Sequence, residues 1–187
     1  LAGARQLLEE RARYVSDYAR IPYPGGDVPR DRGVCTDVII RSLRDAGYDL
    51  QVLVHEDIKR ELRRVGGDIR SPQFAYPLHR MWKQTEADPN IDHRRVPNLI
   101  VYLERHGTRL PVRVDQRDPA VMEQWWPGDI VVYGSSPESA NHIAIVSDRM
   151  ARSGVPYVID AYPTPGYVSE TYLVDTWKIV GHYRMAR

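Results

Sequence analysis

The spacing of apolar residues changes along this chain, and that change limits the folds open to it. Residues 4–20 set Leu7, Leu8, Ala12, Val15 and Ala19 along one helical face. A second helix is predicted from about Cys35 to Ala46, with Val34, Val38, Leu43 and Ala46 as its apolar side and Gly47 as its stop. A third is predicted over 56–65, where Ile58, Leu62 and Val65 keep the period. Its acidic first turn (Glu56, Asp57) and basic later turns suit the helix dipole. The final third is different: Ile130–Tyr133, His142–Ser147, Tyr157–Ala161 and Ile179–Tyr183 are short runs rich in Val, Ile and Tyr, which read as strands. Leu99–Leu103 fits either a strand or a short helix. Helices first and strands afterwards imply an α+β fold, with N-terminal helices packed on an antiparallel β-sheet. A length of 187 residues suits one domain over residues 1–187. From Gly66 to Pro97 no period emerges, and irregular segments of that length inside a domain are uncommon unless they carry function.

Cys35 is the only cysteine, so an internal disulfide is excluded. It follows the loop Tyr23-Pro24-Gly25-Gly26-Asp27 and the segment Gly33-Val34, and it opens the second predicted helix. Unpaired backbone N–H groups and the positive end of the dipole favour a thiolate there, which is the nucleophilic form. The other reading is a small buried hydrophobe. A nucleophile needs a base, and the base needs an orienting group. His142 opens the strand Asn141-His142-Ile143-Ala144-Ile145-Val146, and the next strand is Tyr157-Val158-Ile159-Asp160-Ala161. A hairpin loop centred near Ala151 sets His142 directly opposite Asp160, with Cβ atoms ~4.5–5.5 Å apart. A carboxylate at that distance holds an imidazole in the tautomer a base requires, whereas a slip of one residue sends one of the two to the other face. Upstream, Trp125-Trp126-Pro127-Gly128-Asp129 leads into the neighbouring strand, and Asp129 is expected to close that turn with its side chain.

Tyr23-x-Gly25-Gly26 before Gly33-x-Cys35-Thr36, then Pro127-Gly128-Asp129-Ile130-Val131, then His142-Ile143-Ala144-Ile145-Val146, is similar to the NlpC-type, papain-like cysteine peptidase superfamily. More narrowly, the chain resembles a bacterial family known as domain of unknown function 1287. That resemblance runs through Tyr23 to Val38, Leu50-Gln51-Val52-Leu53-Val54-His55-Glu56-Asp57, the long and unusual Asn90-Ile91-Asp92-His93-Arg94-Arg95-Val96-Pro97-Asn98-Leu99, and the closing Gly181-His182-Tyr183-Arg184. It implies a papain-like arrangement, with Cys35 as nucleophile at a helix start, His142 as base and Asp160 as third residue. It also implies a cell-envelope substrate such as a murein peptide. NlpC-type murein peptidases commonly carry Asp before the cysteine and Ser after it, which help bind a free amine; here those places hold Val34 and Thr36.

Tyr23, Gly26 and Asp27, together with Thr36, are candidate substrate contacts near the thiol; the alternative for the glycine pair is an ordinary turn. His93, Arg94 and Arg95 either bind a substrate carboxylate or phosphate, which Arg grips with two prongs, or brace the irregular middle segment. His55-Glu56-Asp57 and Asp92-His93 lack the spacing of metal ligands, so no metal or other cofactor is expected. His182 reads as structural, and His79 and His106 are assigned no role. A formal charge of +1 with scattered arginines gives no nucleic-acid footprint. No run of ~18 apolar residues supports membrane insertion. The chain starts without Met, which fits a processed product whose signal peptide has been removed, and hence a periplasmic or secreted location. Twelve Tyr and four Trp against one Phe suit a groove whose aromatic walls carry polar handles. The expected activity is a cysteine hydrolase (amidase or peptidase) that cleaves an amide bond in a peptide or peptidoglycan-derived substrate. A non-catalytic peptide- or glycan-binding module and an acyltransferase on the same fold are the alternatives.

Overall fold

A computed structural model describes residues 1–173 and 177–185. In chain order the elements are α1 (Ala2–Glu10), β1 (Arg13–Tyr14), β2 (Arg32–Gly33), α2 (Cys35–Asp45), α3 (Leu50–Arg64), α4 (Leu78–Trp82) and a 3-10 turn at Asp92–Arg94. There follow α5 (Val96–His106), β3 (Thr108–Arg109), α6 (Pro119–Met122), β4 (Ile130–Tyr133), a second 3-10 turn at Pro137–Ser139, β5 (His142–Met150), β6 (Pro156–Ala161), β7 (Val168–Tyr172) and β8 (Ile179–Arg184). The fold is α+β. Among the described residues, six strands form one sheet in the order β3-β8-β4-β5-β6-β7, every neighbouring pair antiparallel. The two-residue strands β1 and β2 pair in parallel and set Tyr14 beside Gly33, next to the start of α2.

The helices pack on one face of the sheet. Leu7, Val38, Ile39, Leu50, Ile58, Leu99 and Leu103 meet Ile130, Val132, Ile143, Ile145 and Ile159 in a continuous apolar core. The alternate residues Val131, Tyr133, Ala144, Val146 and Val158 point the other way and are covered by Met122, Trp125 and Leu173. The strand runs are therefore apolar on both faces, as expected of a sheet buried on both sides. Among the described residues, no helix is long and apolar enough to cross a membrane.

Two expectations need correction, one open alternative is decided and one strand is new. The first helix stops at Glu10, because Arg11 turns left-handed (φ 50°) and the N–H groups of Arg11 and Ala12 bond back to Leu8 and Leu7. Beyond it, the N–H groups of Arg13, Tyr14 and Val15 bond to residues 31, 166 and 33, so the apolar period through Val15 and Ala19 was accidental. The third helix begins at Leu50, capped by Asp49, whose carboxylate accepts from Gln51 N–H at 3.1 Å. Leu99–Leu103 is the middle of α5, which carries proline in its first turn. β7 was not anticipated, since its Ser, Glu and Thr make it a polar edge strand.

Candidate active site

α2 starts at Cys35 because Asp37 caps it from within. The Asp37 carboxylate accepts the Val34 N–H at 2.7 Å, and the Asp37 N–H bonds to the Val34 carbonyl at 3.0 Å. Arg94 holds the same carboxylate in a two-pronged grip, Nε to Oδ1 at 2.8 Å and Nη2 to Oδ2 at 2.9 Å, and both side chains are buried. Thr36 Oγ1 donates to the Arg94 carbonyl at 3.1 Å. Residues 34–37 and the turn at Asp92–Arg94 thus clamp one another, and Cys35 is held at the free-N–H end of the helix.

The β5–β6 register pairs Ile145 with Ile159 and Val146 with Val158, and it shifts before Met150 pairs with Pro156. Continued to the start of β5, this sets His142 opposite Tyr162 and Asp160 opposite Ala144. His142 and Asp160 are therefore diagonal rather than directly opposite, because the turn adds residues that the hairpin estimate did not allow for. The displacement is two residues, so both side chains stay on one face. Ala144 leaves room above Asp160, and the His142 ring leans across to it, with Nε2 to Oδ2 at 2.7 Å. A carboxylate only accepts, so Nε2 carries the proton and Nδ1 is the nitrogen left for the thiol. The Cys35 thiol lies close enough to the ring to raise its pKa. Burial alone would depress His142, but the bond to Asp160 and the thiol contact outweigh it and push the group up to about 9.

His142 shares the alternation of Ala144 and Val146, yet it is the first residue of its strand; of two neighbouring cavities, its chain neighbour Asn141 lines the first and His142 itself the second. The first, of about 330 Å³, is lined by the buried Cys35 and Thr36 together with Tyr14, Trp82, Arg94, Arg95 and Asn141. The other, of about 190 Å³, is walled by Tyr133, Asp160, Tyr162, Ser169 and Trp177. Three rings surround the imidazole, with centroids at 5.7 Å (Tyr133), 5.2 Å (Tyr162) and 5.5 Å (Trp177). Asp160 Oδ1 and Ser169 Oγ, on directly paired residues of β6 and β7, have no hydrogen-bond partner among the described residues.

The structure thus brings Cys35, Thr36, His142, Asp160, Arg94 and Arg95 together and leaves four anticipated contacts elsewhere. Tyr23, Gly26 and Asp27 lie outside the wall of the thiol cavity. Tyr23 bonds Glu56 and packs edge-on against His55, on α3. Gly26 is required by packing: a Cβ there would meet the Pro22 carbonyl at 1.9 Å, and its N–H donates to Gln51 at 2.8 Å. Asp27 pairs with Arg41 at 2.8 Å, in the second half of α2. His93 is turned inward and is 2% exposed; burial pushes it down to about 4. A 3-10 turn aims successive side chains in three directions, so His93 enters the core while Arg94 and Arg95 face the thiol cavity. Arg95 stacks on Trp82 at 3.9 Å and pairs with Asp92 at 3.7 Å.

His106 does have a partner, Asp57 at 3.1 Å, in a buried cluster with Tyr76 and Arg105 that ties the 66–97 segment to α3 and α5. Asp129 accepts from Trp126 N–H at 2.9 Å and from His182 at 2.8 Å, which makes this network structural. Tyr14, Trp82, Asn141, Tyr162 and Trp177 were not singled out beforehand. Asn141 adjoins His142 and Tyr162 shares the face of Asp160, signals that the alternation carries; Trp177 had none.

A family model described as "Domain of unknown function (DUF1287)" matches residues 1–185. A relative from Escherichia coli strain K12, described as uncharacterized protein YijF, is 40% identical over 182 residues, which is 97% of this chain and 78% of the relative. Among solved structures, the chain is similar to the crystal structure of an N-acetylmuramoyl-L-alanine amidase from Bacteroides uniformis, at 14% identity and a TM-score of 0.47 over all of both chains.

Proposed function

The chain belongs to the DUF1287 family, and from its site we propose that it is a cysteine hydrolase that cleaves an amide bond in a cell-envelope peptide. The observation that carries this reading is the line from Cys35 at a helix start, through His142, to Asp160 at 2.7 Å. Cys35 thiolate attacks the carbonyl carbon, and the oxygen takes up the negative charge. The Cys35 backbone N–H, free at the first turn of α2, is aimed to receive that charge. The C–N bond breaks as His142 gives its Nδ1 proton to the leaving amine, and a thioester remains. His142 then takes a proton from water; hydroxide attacks the thioester, the acid leaves, and the thiol is regenerated. Asp160 holds the ring in place and stabilises its charged form throughout.

The likeness of the Cys35 and His142 segments to NlpC-type peptidases supports a murein peptide as substrate and a periplasmic or extracellular place of work. With Val34 and Thr36 flanking the thiol, free-amine recognition by an Asp–Ser pair is not part of this reading. Arg95 faces the thiol cavity and suits a substrate carboxylate nearby, whereas Arg94 is committed to Asp37. The test is incubation of the purified protein and its Cys35→Ala variant with murein fragments, followed by mass spectrometry. New fragments whose summed mass exceeds the parent by one water are expected from the unaltered protein alone. Identical spectra from both proteins would remove the hydrolase reading, and products appearing only with an added amine or hydroxyl acceptor would replace hydrolysis with acyl transfer.

A further inference from the structure

The thiol cavity is the middle of a longer cleft. Through Met81 and Pro97 it adjoins a second cavity of about 370 Å³, and through Trp82 it adjoins a third of about 680 Å³. The second lies between α4, α5 and the turn at Pro137. Its walls are Pro77, Met81, Pro97, Ile100, Val101 and Pro137, and its only charged lining residues, Arg80 and Glu138, are solvent-exposed. The third is the opposite in character, lined by Arg20, Lys83, Gln84, Glu86, Asp88 and Asn90 among others.

We propose that the α4–α5 cavity is a subsite for an apolar side chain, and that the substrate is an extended peptide crossing Cys35 with that side chain on the α5 side and polar groups on the other. This rests on the hydrolase reading above. Helical geometry builds the subsite: Pro77 and Met81 are one turn apart on α4's edge, and Pro97, Ile100 and Val101 share a face of α5. Three of the six wall residues are prolines, whose fixed φ makes the pocket rigid before a ligand arrives, so little ordering cost falls on binding. Met81 is 44% exposed at the junction with the thiol cavity, and its flexible thioether adapts to an entering side chain. Away from the exposed Arg80 and Glu138, a charged substituent would be stripped of water against these walls. Because the cleft continues on both sides of the thiol, the scissile bond belongs inside a chain rather than at its end.

The test uses thiol-reactive peptidyl ketones of matched length carrying Leu, Ser, Asp or Lys at the positions beside the ketone. Adduct formation at Cys35 is followed by intact mass, each rate divided by the iodoacetamide rate of the same protein. The Leu probe is expected to react roughly tenfold or more faster than the Asp and Lys probes. Met81→Leu should keep that order. Met81→Lys should favour the Asp probe over the Lys probe, and Met81→Glu should do the reverse. Met81 is exposed, so these variants do not burden folding. Equal normalised rates for all probes, or an order that the charged variants leave unmoved, would overturn the subsite while leaving Cys35 reactivity intact. A Cys35 inert to iodoacetamide at neutral pH would instead overturn the hydrolase reading, and the subsite with it.

Discussion

At the scale of single residues, the charge state of His142 links the geometry to a measurable pH dependence. An imidazole ordinarily titrates near 6.5; here burial lowers it, and Asp160 and the thiol more than compensate, to about 9. The folded-state value is raised, so its contribution to stability is fully present below about pH 6.5 and lost as pH rises through about 9. On the proposed reaction, the imidazolium must also protonate the leaving amine, so the rate should hold to about pH 9 and fall above it. Asp160→Asn keeps the shape but removes the charge. Its alkaline limb should move down towards neutrality, read from iodoacetamide alkylation and hydrolysis against pH; an unmoved limb would show that Asp160 does not support the ring. The types of all three residues were legible in the chain: a lone cysteine before a helical period, a histidine opening a strand, an aspartate ending the next. Their diagonal meeting was not, because a turn's residue count decides register and several counts suit the same turn residues.

At the scale of elements, the N-terminus of α2 depends on a glycine that touches no substrate. A Cβ on Gly33 would lie 2.9 Å from both Cβ and Oδ2 of Asp37, the carboxylate that caps the helix and grips Arg94. Gly33→Ala should push that carboxylate aside and loosen the first turn, lowering Cys35 alkylation and hydrolysis by about tenfold with α2 otherwise retained. Alkylation rates alongside far-ultraviolet circular dichroism check this, and an unchanged rate would mean that the cap tolerates the methyl. The helix itself was readable from Cys35 to Ala46, since its apolar side and its glycine stop are local signals. α1 was overextended because periodicity says nothing about where backbone N–H groups are spent. Those of residues 13–15 go to chain segments far away in sequence.

At the scale of the whole molecule, one buried ion pair joins the irregular middle segment to the helices. Arg94 and Asp37 stand 57 positions apart and are enclosed by the core beneath the thiol cavity. Arg94→Ala would leave the buried Asp37 carboxylate without its counter-charge, only the Val34 N–H still bonded to it, at a cost of about 3 kcal/mol in urea unfolding. An Arg94→Ala, Asp37→Ala double variant should recover part of the loss. A double-variant loss equal to the sum of the Arg94→Ala and Asp37→Ala losses would mean that the pair contributes no coupling. The sequence alone determined the α+β order of elements, the reactive residue types and, through the strings around Cys35 and Asn90–Leu99, the family resemblance. All of these rest on contacts a few residues long or on the identity of side chains. Only the tertiary structure decided that His142 and Asp160 share a cavity beside the one that Cys35 lines, that Tyr23, Gly26, Asp27 and His93 serve packing away from the thiol cavity, and that Met81, Trp82 and the prolines wall the cleft. Those outcomes depend on sheet register and on segments packed across the chain, and a linear pattern holds no record of which distant surface a side chain will meet.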